Sequence, residues 1–286
     1  MRRSPTEVAR EVAGCAGTWQ LPIYQVNAFS NTPFMGNPAS VCLLEDWLPD
    51  PILQAIAFEN NHPETAFIVD NGQGYDLRWF TPACEVTLCG HATLAAAHTV
   101  RAFVRPGMDA ITFQSPSGPL HVIASGDRWT MDLPALPYAP IAPPPRIAEA
   151  LGVMPEACFA SLDLMVVLRD EAELEAIKPD QGIIATFDLR GLVVTAPAGD
   201  CDFASRFFAP KLSIPEDAIT GSAHCTLMPY WAKRLGKTGL SAKQFSIRHG
   251  ATHVIRIDGG FDAPRVHLVG AATTYLEGRI SIPNPA

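Results

Sequence analysis

Three stretches carry side chains able to move protons or hold an anion. The first is Asn60-Asn61-His62-Pro63-Glu64-Thr65-Ala66-Phe67, where a carboxylate follows a His-Pro turn. Glu64 is there either a solvated loop charge or a positioned acid or base. The second, Cys89-Gly90-His91-Ala92, puts a thiol and an imidazole on either side of a glycine. The third, Glu216-Asp217-Ala218-Ile219-Thr220-Gly221-Ser222-Ala223, gathers carboxylates and hydroxyls before another glycine. Cys84 and Cys89 are five residues apart with no His at metal-ligand spacing except His91, so no metal is expected. Dinucleotide and P-loop glycine patterns are absent, as is the Gly-x-Ser-x-Gly elbow of a hydrolase.

The elements that position these residues are written twice. Arg78-Trp79-Phe80-Thr81-Pro82 pairs with Arg206-Phe207-Phe208-Ala209-Pro210. After a loop three residues longer in the second copy, Glu85 pairs with Glu216 and Leu88 with Ile219. Cys89-Gly90-His91-Ala92 then pairs with Thr220-Gly221-Ser222-Ala223. In each copy a strand ends at a proline, an acidic loop follows, and a glycine opens a helix. The helices are expected from Gly90 to about Phe103 and from Gly221 to about Leu235, with Pro229 kinking or shortening the second. The first helix is apolar on nearly every face, so it belongs inside a curled sheet. A buried helix start brings free N–H groups and a positive dipole end into the interior, a seat for a carboxylate. The plainer reading is that Gly90 and Gly221 only permit close packing. Trp79, Phe80, Phe207 and Phe208 read as core.

Short β-like runs dominate elsewhere, giving an α+β chain with about one long helix per half. Prolines are dense over residues 133–146, which reads as a linker. The expected division is an N-terminal extension over 1–18, one domain over 19–135 and a second over 136–286, the last strand free to return to the first domain. Hydrophobic residues make up 48% and charged residues 17%, the balance of a packed protein rather than a disordered one. The net charge of −8 argues against nucleic acid and anionic membranes as partners. No apolar run has membrane-spanning length. Seven cysteines without a Cys-x-x-Cys fit free thiols in a reducing cytoplasm.

"FMGNPASVCLL", "FENNHPETAF", "LRWFTPACEVTLCGHATLAAAH", "FFAPKLSIPEDAITGSAHCTLMPYWAKRLGK" and "QFSIRHG" together resemble the phenazine-biosynthesis PhzF-like isomerases, over about residues 21–280. The resemblance implies the diaminopimelate epimerase fold: two similar domains, each a β-barrel-like sheet around a central helix, with the active site between them. It matches Glu64 to the catalytic glutamate of the Glu-Thr-Ala-Phe motif, and His91 to the His of Cys-Gly-His-Ala-Thr. Asp217 and Ser222 match the Asp and Ser of Glu-Asp-Pro-x-Thr-Gly-Ser-Ala, with Ala218 in place of the usual proline. Gly36 and Asn37 match Gly-Asn-Pro. Arg248-His249-Gly250 stands where many relatives have Gly-Gly after an arginine.

Epimerases of this fold use a cysteine at each helix start. Here Cys89 holds the first place and Thr220 the second, and a hydroxyl is a far weaker base than a thiolate. The resemblance therefore implies a cofactor-independent isomerase that moves a proton within a small carboxylate substrate. Glu64 would act as general base and acid, a step worth roughly 10²–10⁴ in rate. His91 and Asp217 would polarise or shuttle protons. Ser222, Gly90, Gly221, Asn37 and Cys89 would contact substrate, although Cys89 also reads as a small buried hydrophobe. A cytoplasmic homodimer is expected. A racemase using Glu64 with Cys89, and a non-catalytic binding protein, are the other readings.

Overall fold

The computed structural model describes residues 18–246, 253–259 and 264–283. The N-terminal extension with Cys15, and the departure at Arg248-His249-Gly250, lie outside the described residues. Two compact units emerge. One holds the residues up to Phe34, Pro38–Trp129 and the chain from Ala271 onward; the other holds Met35–Asn37 and Thr130–Gly270.

In the first unit, strand Asn37–Leu44 runs parallel to Glu64–Asp70, which runs antiparallel to Tyr75–Phe80. Tyr75–Phe80 takes the short Glu85–Val86 antiparallel and Ala110–Ser115 parallel, and the latter turns back into Gly118–Ser125. In the second unit, Leu164–Val167 is parallel to Leu192–Pro197, which is antiparallel to Phe203–Ala209. Phe203–Ala209 takes the short Ile214–Asp217 antiparallel and Gly239–Gln244 parallel, and the latter pairs back with His253–Gly259. The order of strand senses is the same in both units, so the sequence repeat is a repeat of topology.

In each unit the glycine of the repeat opens a largely buried helix. Gly90–Thr99 is buried at every position except His98, whose Nε2 lies 2.8 Å from the Thr274 hydroxyl. Its last turn opens into π geometry over Val100–Val104, where Arg105 N–H donates to the Val100 carbonyl and Phe103 stacks on Tyr24. Gly221–Leu235 runs its full expected length through Pro229, so the expected shortening does not occur. Proline removes the bond that residue 229 would donate to Cys225. That carbonyl instead accepts the Leu136 N–H at 2.9 Å, supplied by the proline-rich stretch. The same stretch contributes the short strand Ala139–Ile141, paired with Ala157–Ala160.

The repeated arginines do the same work in both units. Arg78 forks onto Glu85 at 2.7 and 2.8 Å and lies over the Phe80 ring. Arg206 donates to Glu216 at 2.8 Å and lies over Phe208. Arg206 also donates to the carbonyls of Leu174 and Ile177, tying down the Glu171–Ala176 helix. Trp79, Phe80, Phe207 and Phe208 are all buried, as expected of core.

The two clamps differ in burial. The Arg206 and Glu216 side chains are 3% and 8% exposed, whereas those of Arg78 and Glu85 are 22% and 33% exposed. Removing one partner of a buried pair strands the other charge and costs about 3–5 kcal/mol, against about 0–1 kcal/mol for an exposed pair. Arg206→Met should therefore destabilise the chain several-fold more than Arg78→Met in urea unfolding. Equal losses would contradict this assignment.

Candidate active site

The first cluster is built on the turn ahead of Glu64. Helix Asp50–Asn60 ends at Asn61, which adopts a left-handed conformation (φ 49°, ψ 33°) and gives its N–H to Ala57. Asparagine tolerates that conformation better than most residues. Pro63 then disfavours helix at His62. Asn60 Nδ2 donates to Thr65 Oγ1 at 3.2 Å, and Ser40 Oγ meets His62 Nδ1 at 2.7 Å. Glu64 is the first residue of its strand, opposite Ala39, and not a member of the turn. It is buried.

Across from it stands the start of the Gly90–Thr99 helix. His91 Nε2 lies 3.2 Å from Glu64 Oε2, a close approach without full hydrogen-bond alignment. On the other side of the ring, Nδ1 lies 3.5 Å from Cys89 Sγ. Burial, assisted by the nearby His62, pushes the His91 imidazolium down to about 3. The ring is thus neutral at pH 7, with one nitrogen protonated and the other an acceptor. The Nε2–H tautomer would turn a donor toward Glu64 and leave Nδ1 to accept from the thiol. The Nδ1–H tautomer would do the reverse.

The second unit holds the remaining residues in two adjoining networks. Asp217 accepts from Thr220 Oγ1 at 2.5 Å and from Asn37 Nδ2 at 2.6 Å, and Asn37 also donates to the Ile219 carbonyl. Asn37, expected as a substrate contact, thus holds Asp217 in place. Gln244 donates to the Asp217 carbonyl and the Thr220 hydroxyl and accepts the Thr220 N–H. Burial pushes the Asp217 carboxyl up to about 6, against the opposing pull of the Thr220, Asn37 and Ala218 donors and the Arg190 charge. Ala218 thereby gives its departure from the usual proline a consequence: proline has no N–H to donate. Thr220 commits its proton to Asp217 and is no substitute for a thiolate base.

Ser222 Oγ accepts from Arg190 Nη2 at 3.0 Å, and Arg190 forks onto Asp163 at 2.8 and 2.6 Å. Guanidinium has no acceptor, so the serine's own proton points elsewhere and Ser222 is set up to donate. Asp163, Arg190 and Gln244 escape sequence reasoning. Arg190 is 27 residues from Asp163 and 32 from Ser222, and no local pattern links them. Gly90 and Gly221 are the first residues of their helices, and neither Cys89 nor Thr220 caps with its side chain. Cys84 stands apart, its sulfur 3.9 Å from Thr81 Oγ1.

A model of the phenazine biosynthesis-like protein family matches residues 26–278. The chain belongs to that family. A relative from Pseudomonas aeruginosa, named an uncharacterized isomerase, is 44% identical over 92% of this chain and 100% of its own. The crystal structure of a PhzF-family phenazine biosynthesis protein from Enterococcus faecalis superposes with a TM-score of 0.83 at 41% identity, covering 92% of this chain and 99% of that one. A hydroxyproline epimerase from Agrobacterium vitis, solved with trans-4-hydroxy-L-proline bound, shares the fold at a TM-score of 0.62 and 10% identity, over 93% and 94% of the two chains. The α+β architecture is the epimerase-like one, and the chain stands among PhzF-type isomerases. No helix among the described residues is long and apolar enough to cross a membrane.

The buried rings set a pH dependence. His91 binds its proton near 6.5 when unfolded and near 3 when folded, so its contribution to stability is full above about 6.5 and is lost as pH falls towards 3. His224, pushed down to about 4 by burial, acts in the same sense. Asp217 acts oppositely, its contribution full below 3.8 and lost as pH rises through about 6. His91→Gln should flatten the fall in Tm from pH 6.5 to 4. An unchanged slope would show that His91 is not held neutral.

Proposed function

We propose that the chain catalyses a cofactor-independent proton transfer that shifts a double bond within a small carboxylate substrate. Glu64 removes a proton from one carbon as general base and returns it to another as general acid. The observation that carries this reading is the Glu64–His91–Cys89 array, in which a buried carboxylate lies 3.2 Å from an imidazole kept neutral by burial. A neutral ring steadies the ionised form of Glu64 by donation and its protonated form by acceptance, so both halves of the transfer are supported. Ser222, backed by Arg190, donates its hydroxyl proton to the substrate. Asp217 moves or orients a proton. The N–H groups at the Gly90 helix start receive the carboxylate.

Thr220 speaks against two-thiol epimerisation, since its hydroxyl donates to Asp217. The six described cysteines are all unbridged, which agrees with a reducing cytoplasm. A homodimer is proposed from the family and is read by sedimentation.

The test is proton NMR in D₂O with a panel of cyclohexadienyl, aromatic and amino carboxylic acids. Wild type should lose a specific C–H signal, with the double bond moved. Glu64→Gln should slow that exchange by roughly 10²–10⁴. One deuteron incorporated with inversion and no moved double bond would identify an epimerase instead. Exchange that persists in Glu64→Gln would remove Glu64 from the mechanism.

A further inference from the structure

The Glu64–His91–Cys89 cluster has a second chemical capacity, separate from proton transfer. One donor atom from each side chain lies within 4.8 Å of both others, and all three residues are buried. A carboxylate oxygen, an imidazole nitrogen and a thiolate are the ligand types zinc accepts. The Cys89 Sγ to His91 Nδ1 distance is 3.5 Å. Zinc–sulfur and zinc–nitrogen bonds at a tetrahedral angle place those atoms about 3.5 Å apart. That edge of a coordination tetrahedron is already built.

We infer that Glu64, Cys89 and His91 form a reversible inhibitory site for a thiophilic divalent cation, zinc in the first place. Only one ring nitrogen can face a given ion, and Nδ1 is the one beside the sulfur. The carboxylate is the ligand that moves, turning about its side-chain torsions to close the third edge. It is also the most open of the three residues to solvent, at 8% exposed against 4% for Cys89 and 2% for His91, and so marks the way in. Binding is a ligand exchange without redox change: the thiol proton leaves to solvent, the sulfur lone pair forms the metal bond, and the contacts among the three side chains are replaced by contacts to the ion. Three protein ligands leave the fourth position open, as in catalytic rather than structural zinc sites. An ion held there occupies the proposed base, and a chelator frees it.

The test reads binding and needs no substrate, so it stands apart from the proposed activity. Co²⁺ added to the full-length chain under reducing conditions should give one equivalent of tetrahedral d–d absorption with a sulfur-to-cobalt charge-transfer band, both displaced by Zn²⁺. Cys89→Ser should abolish the charge-transfer band. Loss of an outer-shell partner costs 10–100-fold in metal affinity, so loss of a ligand should weaken Zn²⁺ binding by about 100-fold or more. Glu64→Gln should keep the sulfur band and weaken binding, which reports on the site even where Cys89→Ser folds poorly. The Cys84→Ser, Cys201→Ser double variant should bind as wild type does. An octahedral cobalt spectrum without the sulfur band would overturn the inference. So would a band that survives Cys89→Ser or vanishes in the double variant.

Discussion

Two long helices begin in the protein interior without a capping side chain, and the rest of the structure answers to that constraint. The opening turn of any helix leaves backbone N–H groups without intrahelical partners. At the surface a serine or aspartate cap, or water, takes them up. Here Cys89 and Thr220 stand at the cap positions and neither caps. Thr220 gives its proton to Asp217 instead. Glycine follows each of them, so no Cβ blocks what approaches the helix start. Such an opening is tolerable only if the helix is held by other means. Gly90–Thr99 is held by burial of nearly every side chain, and Gly221–Leu235 by an apolar face and by the Leu136 N–H that takes the carbonyl released at Pro229.

The duplicated frame kept its mechanical parts and changed its chemical ones. Arg78 and Arg206 each hold a glutamate and cover a phenylalanine, at 5.1 and 5.0 Å from the ring centres. These clamps join the strand before each acidic loop to the short strand after it. Immediately downstream the copies part. Cys-Gly-His gathers groups whose protons can be rearranged, beside Glu64. Thr-Gly-Ser gathers groups whose protons are committed: Thr220 to Asp217, and Ser222 outward because Arg190 occupies its acceptor side. One copy gathers a thiol, an imidazole and a carboxylate, the other hydrogen bonds of fixed direction.

The features legible in the sequence were those carried by local pattern. The repeat, the glycine helix starts and the apolar first helix all rest on residues close together in the chain. Glu64 reads as a turn residue, either a loop charge or a positioned acid or base, because its strand, Glu64–Asp70, is buried throughout except at its end and shows no alternation to mark where it begins. Pro229 reads as a helix breaker because the compensating donor lies far away at Leu136. Gln244 lies 24 residues from Thr220, and Asp163 reaches Ser222 only through Arg190. Side-chain networks of that range leave no periodic trace, so the supports of the site were hidden while its front residues were not.

The state of His91 decides what kind of site this is. A protonated imidazole beside Glu64 would form an ion pair, and that pairing would weaken the carboxylate as a base. With its value pushed down to about 3, roughly one ring in ten thousand is charged at pH 7. Burial presses in that direction first, and the nearby His62 adds like-charge repulsion. Asp217 is pushed the opposite way by the same burial, up to about 6, and four donors or charges hold it from rising further. Two acidic side chains thus meet different surroundings, one facing a neutral, reversible partner and the other fixed by donors. The cluster proposed for a travelling proton also has the ligand types of a thiophilic ion's site, since both call for a neutral ring nitrogen, a nearby sulfur and a carboxylate.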